Sequence, residues 1–219
     1  MRILLASASP RRKWLLEEAG CEVICRPSGA EELEDDSRSP AHLALENAWR
    51  KARCVAAGSP GELVLAADTV VAMDGRFFGK PLNLEHAFQM LSALAGKTHE
   101  VVTGVALVRP DGTESSFAES SRVTFHRLTA QGIRDYLASI QPLDKAGAYA
   151  AQDDGGRIIA RIEGSVTNVI GLPLERLRLL LGDSFPGPHG LRSPTTRAPQ
   201  PRPRIGSPDR SAAPPGGDS

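Results

Sequence analysis

A single carboxylate, Asp68, follows the apolar run Leu63-Val64-Leu65-Ala66-Ala67 and precedes Thr69-Val70-Val71. A buried strand of that composition would deliver the carboxylate at its end, where open α/β sheets place their ligand chemistry. Held there and partly desolvated, such a group can coordinate a divalent cation or take a proton from water. A second cluster, Ser7-Ala8-Ser9-Pro10-Arg11-Arg12, joins a short apolar stretch to a helix start. Free N–H groups at a helix N-terminus, neighbouring hydroxyls and a guanidinium fork together outline a phosphate site. Arg11 and Arg12 project about 100° apart around a helix, so one can face phosphates while the other serves a second position.

Further cations and polar groups stand apart in the chain. Asn47 and Lys51 lie four residues apart, hence on one helical face, from which a lysine can reach a phosphate. Lys80 follows Gly79 just beyond a hairpin signal, and Glu31, Glu32, Glu34, Asp35 and Asp36 form an acidic loop able to supply a metal ligand. The small-residue segment Asp144 to Gln152 lets a ligand approach the backbone, and Gln152 offers both a donor and an acceptor to a base edge. Gly96-Lys97-Thr98 is not a P-loop, because Leu91 occupies the position of the earlier glycine; Gly96 instead reads as a helix stop. The five histidines show neither metal-ligand nor triad spacing, and no G-x-S-x-G occurs, which speaks against serine nucleophile chemistry.

The elements that must position these groups alternate between apolar runs and helical patterns, an α/β signature. Strands are expected at Ile3 to Ala6, Glu22 to Arg26, Leu63 to Ala67 (running into Asp68-Thr69-Val70-Val71) and Arg157 to Ile162, with a long hairpin of Val101 to Val108 and Ser115 to Phe125 around Pro110-Asp111-Gly112. Helices are expected from Pro10 to Ala19 with Ser9 as N-cap, from Ser39-Pro40 to about Ala57, and from Asn83 to Gly96. Two more run from Thr129 to about Ile140 and from Pro173 to Leu181. Asp74-Gly75 reads as a two-residue hairpin turn.

Composition bounds the rest. The 219 residues carry 26 Lys+Arg and 26 Asp+Glu, so no global field advertises a nucleic acid or an anionic membrane. Residues 184–219 hold nine of the 17 prolines and five arginines, and are expected to be a disordered Pro/Arg/Gly-rich tail to a single domain of residues 1–183. Without the tail the body has 21 basic and 24 acidic residues, net −3; with aromatics at only 5%, no stable nucleic-acid partner is expected. No run of roughly 18 apolar residues occurs, and Ile3 to Ala6 is shorter than the roughly 7 to 15 residues of a secretory h-region. A cytoplasmic protein without membrane contact is therefore expected. Its three cysteines, lacking a C-x-x-C pair, should be reduced thiols.

Taken in order, S-A-S-P-R-R, N-A-x-x-K-A, A-A-D-T-V-V, G-K-P, G-K-T-H-E-V-x-T-G-V, D-K-A-G-A-Y-A-A-Q and I-x-G-S-V-x-N-V-I-G-L-P-L resemble the Maf family of nucleoside triphosphate pyrophosphatases. The resemblance spans about residues 2–181. It implies an inosine-triphosphatase-like α/β fold: a mixed twisted sheet with flanking helices. The activity implied is hydrolysis between the α- and β-phosphates of a nucleotide by an attacking water, with Mg²⁺ or Mn²⁺. By the same resemblance Asp68 is the proton acceptor or metal-side carboxylate, Glu32 a second metal-side carboxylate, and Ser7, Arg12, Lys51 and Lys80 line the phosphate site. Arg11, Thr69 and Gln152 match positions that mark the dTTP/UTP branch, which implies pyrimidine substrates, canonical or modified, and a house-cleaning role in the nucleotide pool.

The chain departs from that branch at Ala150 and Asp153, where glycine is common, and at Val166, where tyrosine is frequent. These changes concern the base pocket and leave the phosphate site intact. A 7-methyl-GTP pyrophosphatase is the alternative within the family, but that branch differs around Gln152. A non-catalytic nucleotide-binding regulator of septum formation is the alternative outside enzymology; a pseudoenzyme would have lost some of Asp68, Lys51, Lys80 or the arginine pair, and all are present. A homodimer is the family's commonest arrangement and is expected here.

Overall fold

Ile3, Leu4 and Leu5 form a strand whose two faces are both covered, which is why the run is apolar without alternation. The computed structural model describes residues 1–35 and 37–186; the expected tail from residue 187 onward lies outside the described residues. Strand β1 (Arg2–Leu5) runs parallel to β2 (Glu22–Cys25) on one side and to β3 (Val64–Met73) on the other. β4 (Arg76–Phe77) folds back on β3 across the Asp74-Gly75 turn. β5 (Thr98–Val108), β6 (Glu114–Phe125) and β7 (Ile159–Glu163) continue the sheet antiparallel, giving the order β2-β1-β3-β5-β6-β7. The expected mixed sheet with flanking helices is what forms.

Strand alternation sorts the core. Ile3, Leu5, Leu65 and Ala67 pack against Leu15 and Leu16 of α1 (Pro10–Glu18). Leu4, Ala6, Val64 and Ala66 face α2 (Pro40–Ala57) through Ala48, Ala52 and Val55. α3 (Leu84–Leu94) and α4 (Ala130–Ser139) close a second cluster around Val101, Val123 and Phe125. Two C-terminal helices, α5 (Val166–Ile170) and α6 (Leu174–Leu181), complete the first face; Phe185, beyond the expected domain end, is buried with them. No helix among the described residues is long and apolar enough to cross a membrane. Cys21, Cys25 and Cys54 are free thiols.

Ser39, Asn83 and Thr129 cap their helices as expected, each accepting a hydrogen bond from the backbone N–H three residues on. Ser9 occupies the N-cap position of α1, but its hydroxyl makes no cap; its N–H donates instead to Ser7 Oγ at 3.2 Å. β7 starts two residues later than expected because Asp154 accepts the N–H groups of Ile158 and Ile159, holding the chain in a turn. α5 was not expected at all, since its Val-Thr-Asn-Val-Ile sequence favours strand; Ser165 caps it through Asn168 N–H.

Asp68 corrects the expectation of a strand-end carboxylate. It lies inside β3, which pairs with β5 from Val64 to Ala72. The strand end that matters belongs to β1: its last partner on β3 is Leu65, and β4 takes up pairing only at Ala72. Between them the β3 edge opposite β5 has no strand neighbour among the described residues. Side chains from both sheet faces, Asp68 on one and Thr69 on the other, therefore reach a common opening.

Helix α2 lies unusually close to the sheet there. Ala44, Ala48 and Ala52, spaced four apart, are fully buried, and Gly104, the cross-strand partner of Asp68, sits beneath Ala44. A Cβ at Gly104 would stand 2.4 Å from the Ala44 carbonyl carbon. Gly104→Ala is accordingly expected to lower unfolding stability by about 1–3 kcal/mol through overpacking. An unchanged urea midpoint would show that the helix can retreat without cost.

Candidate active site

Lys51 projects from α2 into the opening and is only 8% exposed. Its Nζ donates to Asp68 Oδ1 and to Glu32 Oε1, both at 2.6 Å. Lys80 Nζ reaches the other oxygen of Glu32 at 3.2 Å. Asn47, one helical turn before Lys51, donates from Nδ2 to Asp68 Oδ2 at 3.2 Å. The four charges Lys51, Lys80, Glu32 and Asp68 thus form a balanced chain in which each carboxylate meets an ammonium. Burial would raise the Glu32 carboxyl, but the charges and hydrogen bonds of Lys51 and Lys80 outweigh it and hold the group at about 2.

Arg12 crosses from α1 to the exposed β3 edge. Its Nε donates to the Gly171 carbonyl at 2.9 Å, and its terminal nitrogens to Ser7 Oγ and Thr69 Oγ1, both at 3.1 Å. Gly171 has φ +129° and approaches Arg12 closely, so a glycine suits the position. Burial pushes the guanidinium below its ordinary value, an effect partly offset by the charge of Asp68. All its contacts are neutral oxygens, and no carboxylate bridges it among the described residues. That leaves a desolvated cation facing the cavity, the arrangement that welcomes an anionic ligand.

The hydroxyl of Thr69 is itself part of a directed chain. Thr103 Oγ1 donates to the Asn168 carbonyl at 3.1 Å and is 3.0 Å from Thr69 Oγ1, so Thr69 donates to Thr103 while accepting from Arg12. Toward the cavity Thr69 therefore presents an acceptor. Arg11, on the neighbouring helical face, pairs with Asp144 at 3.4 Å, tying α1 to the segment that ends at Gln152. Gln152 donates to Asp153, while its Oε1 is shielded from solvent and without a partner.

Ser7, Arg11, Arg12, Glu32, Lys51, Asp68, Thr69, Lys80 and Gln152 all line one cavity of about 780 Å³. That volume suits a ligand of nucleotide size. Apolar walls from Leu43, Val70, Phe78, Met90 and Tyr149 flank the polar cluster. The residues that sequence reasoning missed are those whose role is purely spatial: Gly171, Thr103, Asn168, His99 and Tyr149. Asn168 and Gly171 stand within the I-x-G-S-V-x-N-V-I-G motif, yet nothing in their residue types announces a carbonyl aimed at an arginine or a threonine.

Residues 2–184 match the family model described as Maf-like protein. The chain belongs to the Maf family. It is 45% identical over 176 residues to dTTP/UTP pyrophosphatases of Bacillus anthracis (strain CDC 684 / NRRL 3495) and Bacillus cereus (strain ZK / E33L), covering 80% of this chain and 92% of each relative. Among solved structures, the Staphylococcus aureus Ham1 protein is 16% identical, with 83% of this chain and 98% of that chain covered at TM-score 0.47. A nucleoside-triphosphatase, dITP/XTP pyrophosphatase, from Mycobacterium abscessus is 23% identical, with 58% and 76% covered at TM-score 0.37.

In this Maf chain, Glu32 and Asp68 converge on one point, now held by Lys51 Nζ. Among the described residues no group of three His, Cys, Asp or Glu forms a closed metal cage. Glu32 and Asp68 are two oxygen donors of the kind a hard divalent cation takes, and they could hold one only with further oxygens from outside the chain.

The Maf cavity wall around Tyr149 rests on an enclosed aromatic group. Tyr149, His99 and Phe125 meet edge to face with centroids 4.8–5.5 Å apart, and the Tyr149 hydroxyl is 2.9 Å from His99 Nε2. Burial pushes the Tyr149 hydroxyl up and the His99 imidazole down to about 4. Since the unfolded histidine titrates near 6.5, its stabilising contribution is complete above that pH and is lost as pH falls toward 4. Over that window the shift corresponds to roughly 3 kcal/mol. Urea unfolding at pH 7.5 and 4.5 should show a smaller drop for His99→Phe than for the wild type; equal drops would place the acid sensitivity elsewhere.

Proposed function

We propose that this Maf-family chain is a nucleoside triphosphate pyrophosphatase that converts dTTP and UTP to the monophosphate and pyrophosphate. The observation that carries the reading is the convergence of Arg12, Lys51 and Lys80 with the Asp68 and Glu32 carboxylates in one nucleotide-sized cavity. Relatives that are 45% identical and bear the name dTTP/UTP pyrophosphatase support the substrate class.

In this mechanism Asp68 accepts a proton from water as the oxygen attacks the α-phosphorus, and the bond from that phosphorus to the oxygen bridging to the β-phosphate breaks. Pyrophosphate leaves with the electron pair of that bond. Arg12, Lys51 and Lys80 stabilise the negative charge that develops on it, in a site whose groups are positioned beforehand. Glu32 and Asp68 would hold a divalent cation, Mg²⁺ or Mn²⁺, which when bound supplies further charge neutralisation on the phosphates. Lys80 is the more exposed lysine, and among the described residues its ammonium is held by Glu32 alone. Incoming phosphate therefore competes with one carboxylate to engage it.

Base choice falls to Gln152. Thymine and uracil present an imide N–H flanked by carbonyl oxygens, and a carboxamide answers with an acceptor beside a donor. The unpartnered Oε1 supplies that acceptor.

Pyrophosphate release from dTTP, UTP, CTP, GTP and 7-methyl-GTP tests the reading. Turnover led by dTTP or UTP is expected, and a lead for 7-methyl-GTP would overturn the pocket assignment. Asp68→Asn should lower kcat roughly 10²- to 10⁴-fold in a protein that still folds; near-normal turnover would remove Asp68 from proton transfer. Gln152→Glu, which loses the amide donor, should change the ranking of bases more than the affinity for phosphates. A uniform loss across nucleotides would count against base reading.

A further inference from the structure

Asn47 has no charge and cannot take a proton, yet it is among the most completely bonded side chains of the site. It is 3% exposed, so water cannot replace its partners. Its Oδ1 accepts from Leu33 N–H at 2.7 Å, and its Nδ2 donates to the Leu33 carbonyl at 3.2 Å, a two-bond pairing of the kind a neighbouring strand would make. This pairing determines the amide orientation, because only one flip satisfies both backbone groups. The second hydrogen of Nδ2 is then directed at Asp68 Oδ2, 3.2 Å away.

Asp68 is consequently gripped by successive turns of α2. Asn47 holds one carboxylate oxygen and Lys51 the other, which sets the plane of the carboxylate and leaves its remaining lone pairs toward the cavity. The same amide fixes the backbone immediately after Glu32, whose loop has no regular secondary structure among its described residues between β2 and α2. One side chain thus joins the carboxylate on the sheet to the loop that carries the other carboxylate.

We propose that Asn47 is a positioning residue of the reaction: its carboxamide orients Asp68 and clamps the chain at Leu33, so that Glu32 and Asp68 face each other across Lys51. The assignment rests on the pyrophosphatase reading above and extends it to a residue that carries no charge and moves no proton. Aspartate at this position keeps an acceptor for Leu33 N–H but cannot donate to Asp68 or to the Leu33 carbonyl. Alanine removes all three bonds. Both substitutions thus lose the grip on Asp68, and aspartate alone retains the Leu33 N–H half of the clamp.

The test combines steady-state pyrophosphate release from dTTP with Mn²⁺ and hydrogen exchange of residues 30–35 in the full chain without nucleotide or metal. Both Asn47→Ala and Asn47→Asp should lower kcat about 100-fold with KM within about threefold, the size of effect that a small misplacement of a reacting group produces. Amide exchange around Leu33 should accelerate in Asn47→Ala and accelerate less in Asn47→Asp, which keeps the acceptor for Leu33 N–H. A kcat within about threefold of wild type in either folded variant, or a loss confined to KM, would overturn the proposal. If the alanine variant does not fold, Asn47→Asp decides alone. A wild type that releases no pyrophosphate from any nucleotide overturns the pyrophosphatase reading and this assignment together; an active wild type with active Asn47 variants overturns the assignment only.

Discussion

The site depends on one ammonium taken out of water. Lys51 is nearly buried beneath α2, and a lone charge in that setting would carry a large desolvation penalty. Two carboxylates at 2.6 Å offset the penalty, and each comes from a different part of the chain: Asp68 from the sheet and Glu32 from the loop before α2. The requirement to neutralise Lys51 therefore brings sheet, helix and loop into register. It also keeps two carboxylates close together that would otherwise repel, because the cation stands between them. Within this cluster two ammonium groups balance two carboxylates, while Arg12 meets only neutral oxygens among the described residues.

Close helix-to-sheet packing makes that geometry reachable. With an alanine stripe on α2 and a glycine under it on β5, the helix axis comes near enough for Asn47 and Lys51 to touch a carboxylate rooted in the strand. Larger residues would hold the helix off and leave Lys51 short of Asp68. Arg12 solves the corresponding problem on the opposite face. It bridges α1, β3 and the turn after α5 through neutral oxygens, leaving its charge for a ligand. The two faces communicate only where β1 has ended, since a longer β1 would cover the edge of β3 between Leu65 and Ala72.

Strands, helices and most caps are legible because their signals are local. Pro10 and Pro40 at helix starts, the acceptor side chains of Ser39, Asn83 and Thr129, and the Asp74-Gly75 turn each act within a few residues. Where a contact that residue type does not announce intervenes, local reading fails. Asp154 delays β7 by taking two backbone N–H groups, and α5 forms against its β-branched composition because Val169 and Ile170 are buried against the sheet. Ser9 looks like a cap but makes none, its N–H being drawn instead to Ser7.

By itself, the sequence determined the chemical inventory: a carboxylate in an apolar run, arginines at a helix start, a lysine one turn after an asparagine, and the order of motifs that marks the Maf family. These are properties of residue type and short spacing, and they survive without coordinates. Only the tertiary structure decided which charge answers which. Glu32 and Lys80 are 48 residues apart, and Arg12 and Gly171 are 159 apart. The distinction between Asn47 as a solvated helical side chain and Asn47 as a clamp between Leu33 and Asp68 exists only when the loop is folded over α2. The physical reason is that a hydrogen bond or ion pair depends on distance and angle to within a fraction of an ångström, and contacts across the chain acquire those values only when the core has packed.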